Sequence, residues 1–144
     1  MQHLCDANVW IALSLENHKF RETVLRWYDT LAPTDTLLFC RATQQSYLRL
    51  LTQRVFAGDE VRTNNQAIAA YQAFWESPLV AWVEEPASIE DLWLKNAGLA
   101  SVSPKIWMDA YLAAFAVLTG SRLVTFDKGF RVYKHLDWID LNQN

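Results

Sequence analysis

Three aspartates stand where folding alone has little use for a charge. Asp6 is enclosed by Leu4 and Cys5 on one side and by Val9, Trp10 and Ile11 on the other. Asp127 directly follows the run Leu123, Val124, Thr125, Phe126, and Asp109 is the one charged residue between Ile106 and Leu118, where every other side chain is apolar or aromatic. An unpaired buried carboxylate is strongly unfavourable, so each must be neutralised, paired with a cation or bound to a metal. Taken singly, Asp6 and Asp127 also suit helix caps or turns, and Asp109 suits an ion pair with Arg or Lys. Taken together they point to a site, because capping does not call for an acid inside an apolar helix. Oxygen-only ligation by clustered carboxylates suits magnesium or manganese. Cys5 and Cys40 lie in separate apolar runs without the close spacing of a zinc site, and read as buried thiols.

The elements that must position these acids follow from periodicity. Short apolar runs at His3–Cys5, Leu37–Cys40, Leu79–Val83, Leu123–Phe126 and Trp138–Leu141 read as strands, with helical patterns between them. Helices are expected over Ala7–Leu15 and over Lys19–Leu31, where Phe20, Val24, Trp27, Tyr28 and Leu31 form one stripe. Others are expected over Ala42–Val55 and over Val61–Trp75, with Val61, Ile68, Tyr71 and Trp75 buried. A capping box at Ser88 and Asp91 is expected to open a helix closed by Gly98, and a helix over Ile106–Leu118, buried nearly all round, is expected to end at Gly120. Strands alternating with helices give an α/β fold with a parallel sheet covered on both faces, in which ligands gather beyond the carboxyl ends of the strands. Asp6 and Asp127 fall at such ends.

Composition sets the bounds. A chain of 144 residues, 51% hydrophobic and 20% charged, fits a single domain over 1–144 with a sizeable core. A net charge of -3 gives no global basic field, so any nucleic acid must be met by local cations. Arg41, Arg49, Arg54, Lys105, Lys128, Arg131 and Lys134 lie near the acidic motifs in sequence; phosphate contact is their functional reading and a solvated helix face their structural one. The longest apolar stretch is far short of the roughly 20 residues a membrane span needs, and the charge at Asp6 does not suit a secretory signal, so a soluble, cytoplasmic protein with no membrane partner is expected. Seven Trp and five Tyr are many for this length; most belong to the core, and one or two on the surface would suit a dimer or partner interface.

The segments LCDANVWIAL, IWMDAYLAAFAVLTG and LVTFDKGF resemble, in order and spacing, the PIN-domain ribonucleases of the VapC group, the toxins of type II toxin-antitoxin systems, along essentially the whole chain. The resemblance implies a three-layer α/β/α sandwich with a central parallel sheet. It implies a cleft in which Asp6, Asp109 and Asp127 are catalytic and hold Mg2+, with Mn2+ as substitute, for RNA phosphodiester hydrolysis. It places Asn8 and Thr125 at positions that support the site or the substrate, and it implies a cognate antitoxin and a homodimer as partners. The chain departs from the family pattern where a glutamate usually follows the second strand: RATQQSYLRLLT offers Gln44, or Gln45, and no carboxylate. Gln44 can give an amide oxygen or hold a water, but it removes one negative charge and should weaken metal affinity.

With no His within these motifs, water rather than a side chain is the expected nucleophile. Two other readings stand beside this one. A phosphohydrolase or phospho-acceptor on a related doubly wound sheet would usually carry a second acid where Asp6-Ala7-Asn8 has none. A PIN-like domain that binds RNA or protein without cutting is motivated by Gln44.

Overall fold

The computed structural model describes residues 1–143. Five strands, β1 (Gln2–Cys5), β2 (Thr36–Phe39), β3 (Val80–Trp82), β4 (Arg122–Thr125) and β5 (Trp138–Asp140), form one sheet in the order β3-β2-β1-β4-β5, and every pairing is parallel. Seven helices connect them: α1 (Ala7–Ser14), α2 (Arg21–Tyr28), α3 (Arg41–Leu51), α4 (Arg54–Ala57), α5 (Asn64–Phe74), α6 (Ile89–Ala97) and α7 (Ile106–Thr119).

The two faces of the sheet follow from the period of two along each strand. Cys5, Leu37, Phe39 and Val124 turn to one side, where they pack with Trp10 of α1, Val24 of α2, Tyr47 of α3 and Ala67 of α5. Leu4, Leu38 and Leu123 turn to the other and meet Ile89 of α6 and Leu112, Ala113 and Phe115 of α7. The result is the α/β/α sandwich with a central parallel sheet that the alternation of elements implies. On the first face Trp10 stacks on Phe39 with ring centroids 3.8 Å apart, and Phe74 meets Trp10 edge-on at 4.9 Å. That aromatic block fixes α1, the helix that begins at Asp6, against β2. On the second face α7 presents Ala110, Ala113, Ala114 and Ala116, all buried, so its backbone can lie close to its neighbours.

Several expectations are corrected. The helix expected over Ala42–Val55 is two helices. Thr52 ends α3 by turning its hydroxyl back onto the Leu48 and Arg49 carbonyls, and Gln53 is extended. In α5 the inward side is Ala67 with Ala70, Tyr71 and Phe74, whereas Ile68 and Trp75 are exposed, Trp75 lying past the last helical turn. Ser88 makes no side-chain cap, its backbone being at φ -96°, ψ 13° rather than in the extended conformation a capping residue needs. Nor is α7 buried all round: Trp107 and Met108 near its start and Val117 and Leu118 near its end are exposed, because the sheet and α6 cover only the alanine-rich face. Among the described residues no helix is long and apolar enough to cross a membrane.

Gly120 closes α7 in the left-handed conformation, φ 64° and ψ 25°, and an added Cβ would meet nothing within 4 Å. The turn that joins α7 to β4 therefore resists a side chain through its backbone alone. Gly120→Ala is expected to cost about 1 kcal/mol, read as a lower urea midpoint with an unchanged slope. An unaltered midpoint would mean that the turn relaxes out of the left-handed region.

Candidate active site

The sheet order reverses direction between β1 and β4, so the loops leaving these two neighbours diverge and open a crevice at their carboxyl ends. Asp6 follows β1 and Asp127 follows β4 by two residues. Because α7 runs back antiparallel to the strand it feeds, its first turn, carrying Asp109, comes to the same end of the sheet.

Thr125, the last residue of β4, is fully buried and joins the crevice together. Its hydroxyl donates to Asp6 Oδ2 at 2.8 Å, and accepts from Asn8 Nδ2 at 3.3 Å and from the Asp127 backbone N–H at 3.0 Å. Asn8 returns its amide oxygen to the Phe126 N–H at 3.4 Å. Asp6 Oδ1 accepts from the Ala7 N–H at 2.7 Å, capping α1, and Asp127 Oδ1 accepts from the Gly129 N–H at 2.7 Å, capping a short 3-10 turn. The capping roles open to both acids are thus real, and they coexist with membership of one cluster.

The electrostatics separate this cluster from an ordinary set of caps. Burial holds the Asp6 carboxyl above the ordinary range; the hydrogen bonds from Thr125 and Ala7 pull it down, and the nearby charge of Asp127 pushes it up. Asp109 is pushed up to about 6, first by burial and then by the charges of Asp127 and Asp6, with Lys105 acting against them. The three acids therefore feel one another through space. Among the described residues no Lys, Arg or His forms an ion pair with any of them, so the ion-pair reading of Asp109 is set aside. Nor do three His, Cys, Asp or Glu side chains of the described residues converge into a ready-made metal cage.

Gln44 lies in the first turn of α3, with its amide oxygen accepting from Arg41 at 2.6 Å; no hydrogen bond joins it to the three acids. Gln45 is exposed and lines, with Arg41, Arg49, Trp107 and Met108, a groove of about 880 Å³. Of the other cations noted in the sequence, Arg54 pairs with Asp59 at the surface, and Arg131 and Lys134 are exposed.

Four residues at the crevice escaped the sequence reading. His18, Lys19 and Phe20, in the connection between α1 and α2, line a cavity shared with Asn8 and Asp127. Tyr133 follows the 3-10 turn; its hydroxyl is buried without a hydrogen-bond partner among the described residues, and burial and the charge of Asp109 push it up to about 12. Lys19 and Phe20 were expected in a helix over Lys19–Leu31, whereas the helix begins at Arg21, and His18 and Tyr133 lie in connecting segments on which periodicity has no purchase.

Residues 4–136 match the PIN domain family. Over 134 residues, 90% of this chain and 92% of the relative, the sequence is 45% identical to Ribonuclease VapC41 of Mycobacterium tuberculosis. Among solved structures, the fold is similar to FitAcB from Neisseria gonorrhoeae, with a TM-score of 0.71 at 16% identity, covering 99% of both chains. It is also similar to the sarcin-ricin loop cleaving toxin VapC20 of Mycobacterium tuberculosis, with a TM-score of 0.66 at 19% identity over 94% of this chain and 97% of that one.

The raised Asp109 has a consequence for stability in the absence of metal. Its native pKa of about 6 lies above the ordinary 3.8, so the folded protein keeps a proton that the unfolded chain releases. Stability is therefore lost as pH rises from about 4 to about 6 and stays lost above. In chelator, Asp109→Asn is expected to be more stable than the parent at pH 7.5 and equal to it at pH 4, read by urea denaturation; an equal gain at both pH values would contradict this origin.

Proposed function

This chain belongs to the PIN-domain family, in its VapC ribonuclease group, and from that premise we propose that it is a magnesium-dependent endoribonuclease, the toxin of a toxin-antitoxin pair, with Asp6, Asp109 and Asp127 as its metal-binding acids. One observation carries the assignment of the residues. Three carboxylates near enough for the charge on one to raise the pKa of another, none paired with a cation among the described residues, lie around the switch point of the sheet. A divalent cation is what such a set lacks. The donors are all oxygen, and their failure to converge into a closed cage suits magnesium, which keeps several waters and shares its coordination between one or two carboxylates and substrate phosphate.

When bound there, magnesium supplies an acidified, oriented water and charge to offset that developing on the phosphate. The chain's own contribution is to hold the oxygens in place. The Thr125 hydroxyl and the Ala7 N–H occupy one lone pair on each Asp6 oxygen and leave the others free, and the Gly129 N–H does the same for Asp127 Oδ1. Asn8 braces the β4 end through both Thr125 and Phe126. Gln44 enters the proposal as the residue offered, ahead of Gln45, for the family's glutamate position, and its amide oxygen accepts from Arg41. Cognate antitoxin and homodimer contacts are assigned to apolar surface such as the exposed Trp107, Met108, Val117 and Leu118 of α7.

The protein is expected to cleave RNA in magnesium or manganese and not in excess chelator. Asp6→Asn or Asp109→Asn should lower the rate by at least about 100-fold, roughly 2.7 kcal/mol of barrier, without loss of fold by circular dichroism. Expression of the parent chain should arrest bacterial growth and Asp6→Asn should relieve the arrest; cleavage that persists in chelator, or arrest retained by Asp6→Asn, would sink the metal-hydrolase reading.

Gln44→Glu adds a charged oxygen and is expected to tighten manganese binding in a calorimetric titration. Unchanged affinity would place residue 44 outside the metal's ligands and leave it as the partner of Arg41.

A further inference from the structure

A cavity of about 640 Å³ opens beside the acids, within the range of small-ligand sites. Asn8 and Asp127 belong both to this cavity and to the acid cluster, so a strand held at the acids has the cavity as its immediate continuation. We infer that this cavity, lined by His18, Lys19, Phe20, Phe126 and Lys128, is a nucleotide subsite that holds the RNA strand next to the cleaved phosphate and contributes to the choice of cleavage site. The inference rests on the ribonuclease reading for the nature of the strand.

Each wall offers what a nucleotide needs. Lys19 and Lys128 are exposed and make no ion pair among the described residues, so both ammonium groups are available to phosphate. Phe20 stacks on Phe126 with centroids 4.4 Å apart and planes 8° from parallel, giving a rigid apolar wall for a base or ribose, and Lys19 lies 4.8 Å from the Phe20 ring centre. His18 supplies direction. Its Nδ1 accepts from the Phe20 N–H at 3.1 Å, and burial together with Lys19 keeps the ring's pKa below its ordinary value, so the neutral ring carries its proton on Nε2. No hydrogen bond among the described residues uses that Nε2–H, which leaves it as a donor for a base or sugar oxygen. Asp140 also lines the cavity, with its Oδ1 taken by the Asn142 N–H.

A nucleic acid suits this lining better than a protein segment. A segment that neutralised the acids would bring a cation, which Lys19 and Lys128 would repel, whereas an RNA strand brings phosphates that the two lysines attract and the bound metal tolerates.

The test separates binding from cleavage. Binding of a labelled single-stranded oligoribonucleotide is followed by fluorescence anisotropy in chelator at several salt concentrations. Lys19→Gln and Lys128→Gln should each weaken binding several-fold and each lower the slope of log affinity against log salt by about 0.7, the value for one phosphate contact on a single strand. A merely structural lysine would not move that slope. His18→Leu should weaken binding and His18→Gln, which keeps a donor, should restore it. Parent-like affinity and slope in both lysine variants, or a parent that shows no salt-dependent binding, overturns the subsite. So does unchanged RNA binding alongside weakened antitoxin binding, which would hand the cavity to a protein partner. Cleavage in magnesium with an unaltered KM in the lysine variants overturns the subsite and spares the ribonuclease; salt-dependent binding through the lysines without cleavage does the reverse.

Discussion

The crevice hangs on a single hydroxyl. Thr125 Oγ1 has one proton and two lone pairs, and all three are committed: to the Asp6 carboxylate, to the Asn8 amide and to the Asp127 N–H. Because Thr125 is fully buried at the end of β4, and β4 is paired to β1 through Cys5 and Val124, this hydroxyl carries the rigidity of the sheet centre out to the acids. The Asp6 N–H donating to the Val124 carbonyl at 2.9 Å extends the same pairing by one step. A β-branched side chain has few rotamers, so the oxygen is delivered in one place. Serine would offer the same bonds with less restraint, and valine would keep the restraint and lose the bonds.

The acid cluster works against the stability of the metal-free protein. Burial and mutual repulsion raise Asp6 and Asp109, and both effects disfavour the charged forms. What offsets them lies behind the crevice. The stacked Trp10 and Phe39, with Phe74 and Tyr47 around them, hold α1 and β2, and the alanine face of α7 sits tightly over the other side of the sheet. A binding cation would remove the repulsion, so metal affinity and folding stability draw on the same electrostatic strain.

The sheet was legible because buried parallel strands leave short apolar runs and their connecting helices leave stripes, and both patterns depend on burial, which the sequence records directly. Asp6 and Asp109 stood out for the converse reason, as charges set in apolar surroundings, whereas Asp127, expected buried after its apolar run, is exposed. Helix ends were not: the break at Thr52 comes from a hydroxyl turning back on its own helix, a local competition that leaves no trace in hydrophobic period. The buried side of α5 was misjudged because Trp75 looks like core by size, yet lies past the last turn, while Ala67 fills the inward place. The role of His18, Lys19, Phe20 and Tyr133 was missed for a different reason: Lys19 and Phe20 were read into a helix that begins only at Arg21, and all four reach the crevice from segments whose paths are set by packing, Phe20 by stacking on Phe126 and Tyr133 by the apolar cluster under α7.

An acidic centre that must receive a polyanion poses a charge problem, and the net charge of -3 offers no help at long range. At physiological ionic strength the field of an exposed charge fades over about 8 Å, so cations can only recruit RNA from close beside the acids. The fold meets that condition from three directions. Lys128 follows Asp127 directly, Lys105 acts on Asp109 from the turn before α7, and Lys19 arrives with the connection after α1. Lys105 acts on Asp109, and Lys19 and Lys128 line the cavity that Asp127 shares, yet among the described residues none forms an ion pair with the three carboxylates. A rim of single cations around an unpaired acidic centre attracts a phosphate only as far as the edge, and on the metal-hydrolase proposal the last step inward would fall to a divalent ion held by the acids. Binding and cleavage are in this way assigned to different charges, which is why the two can be separated by substitution.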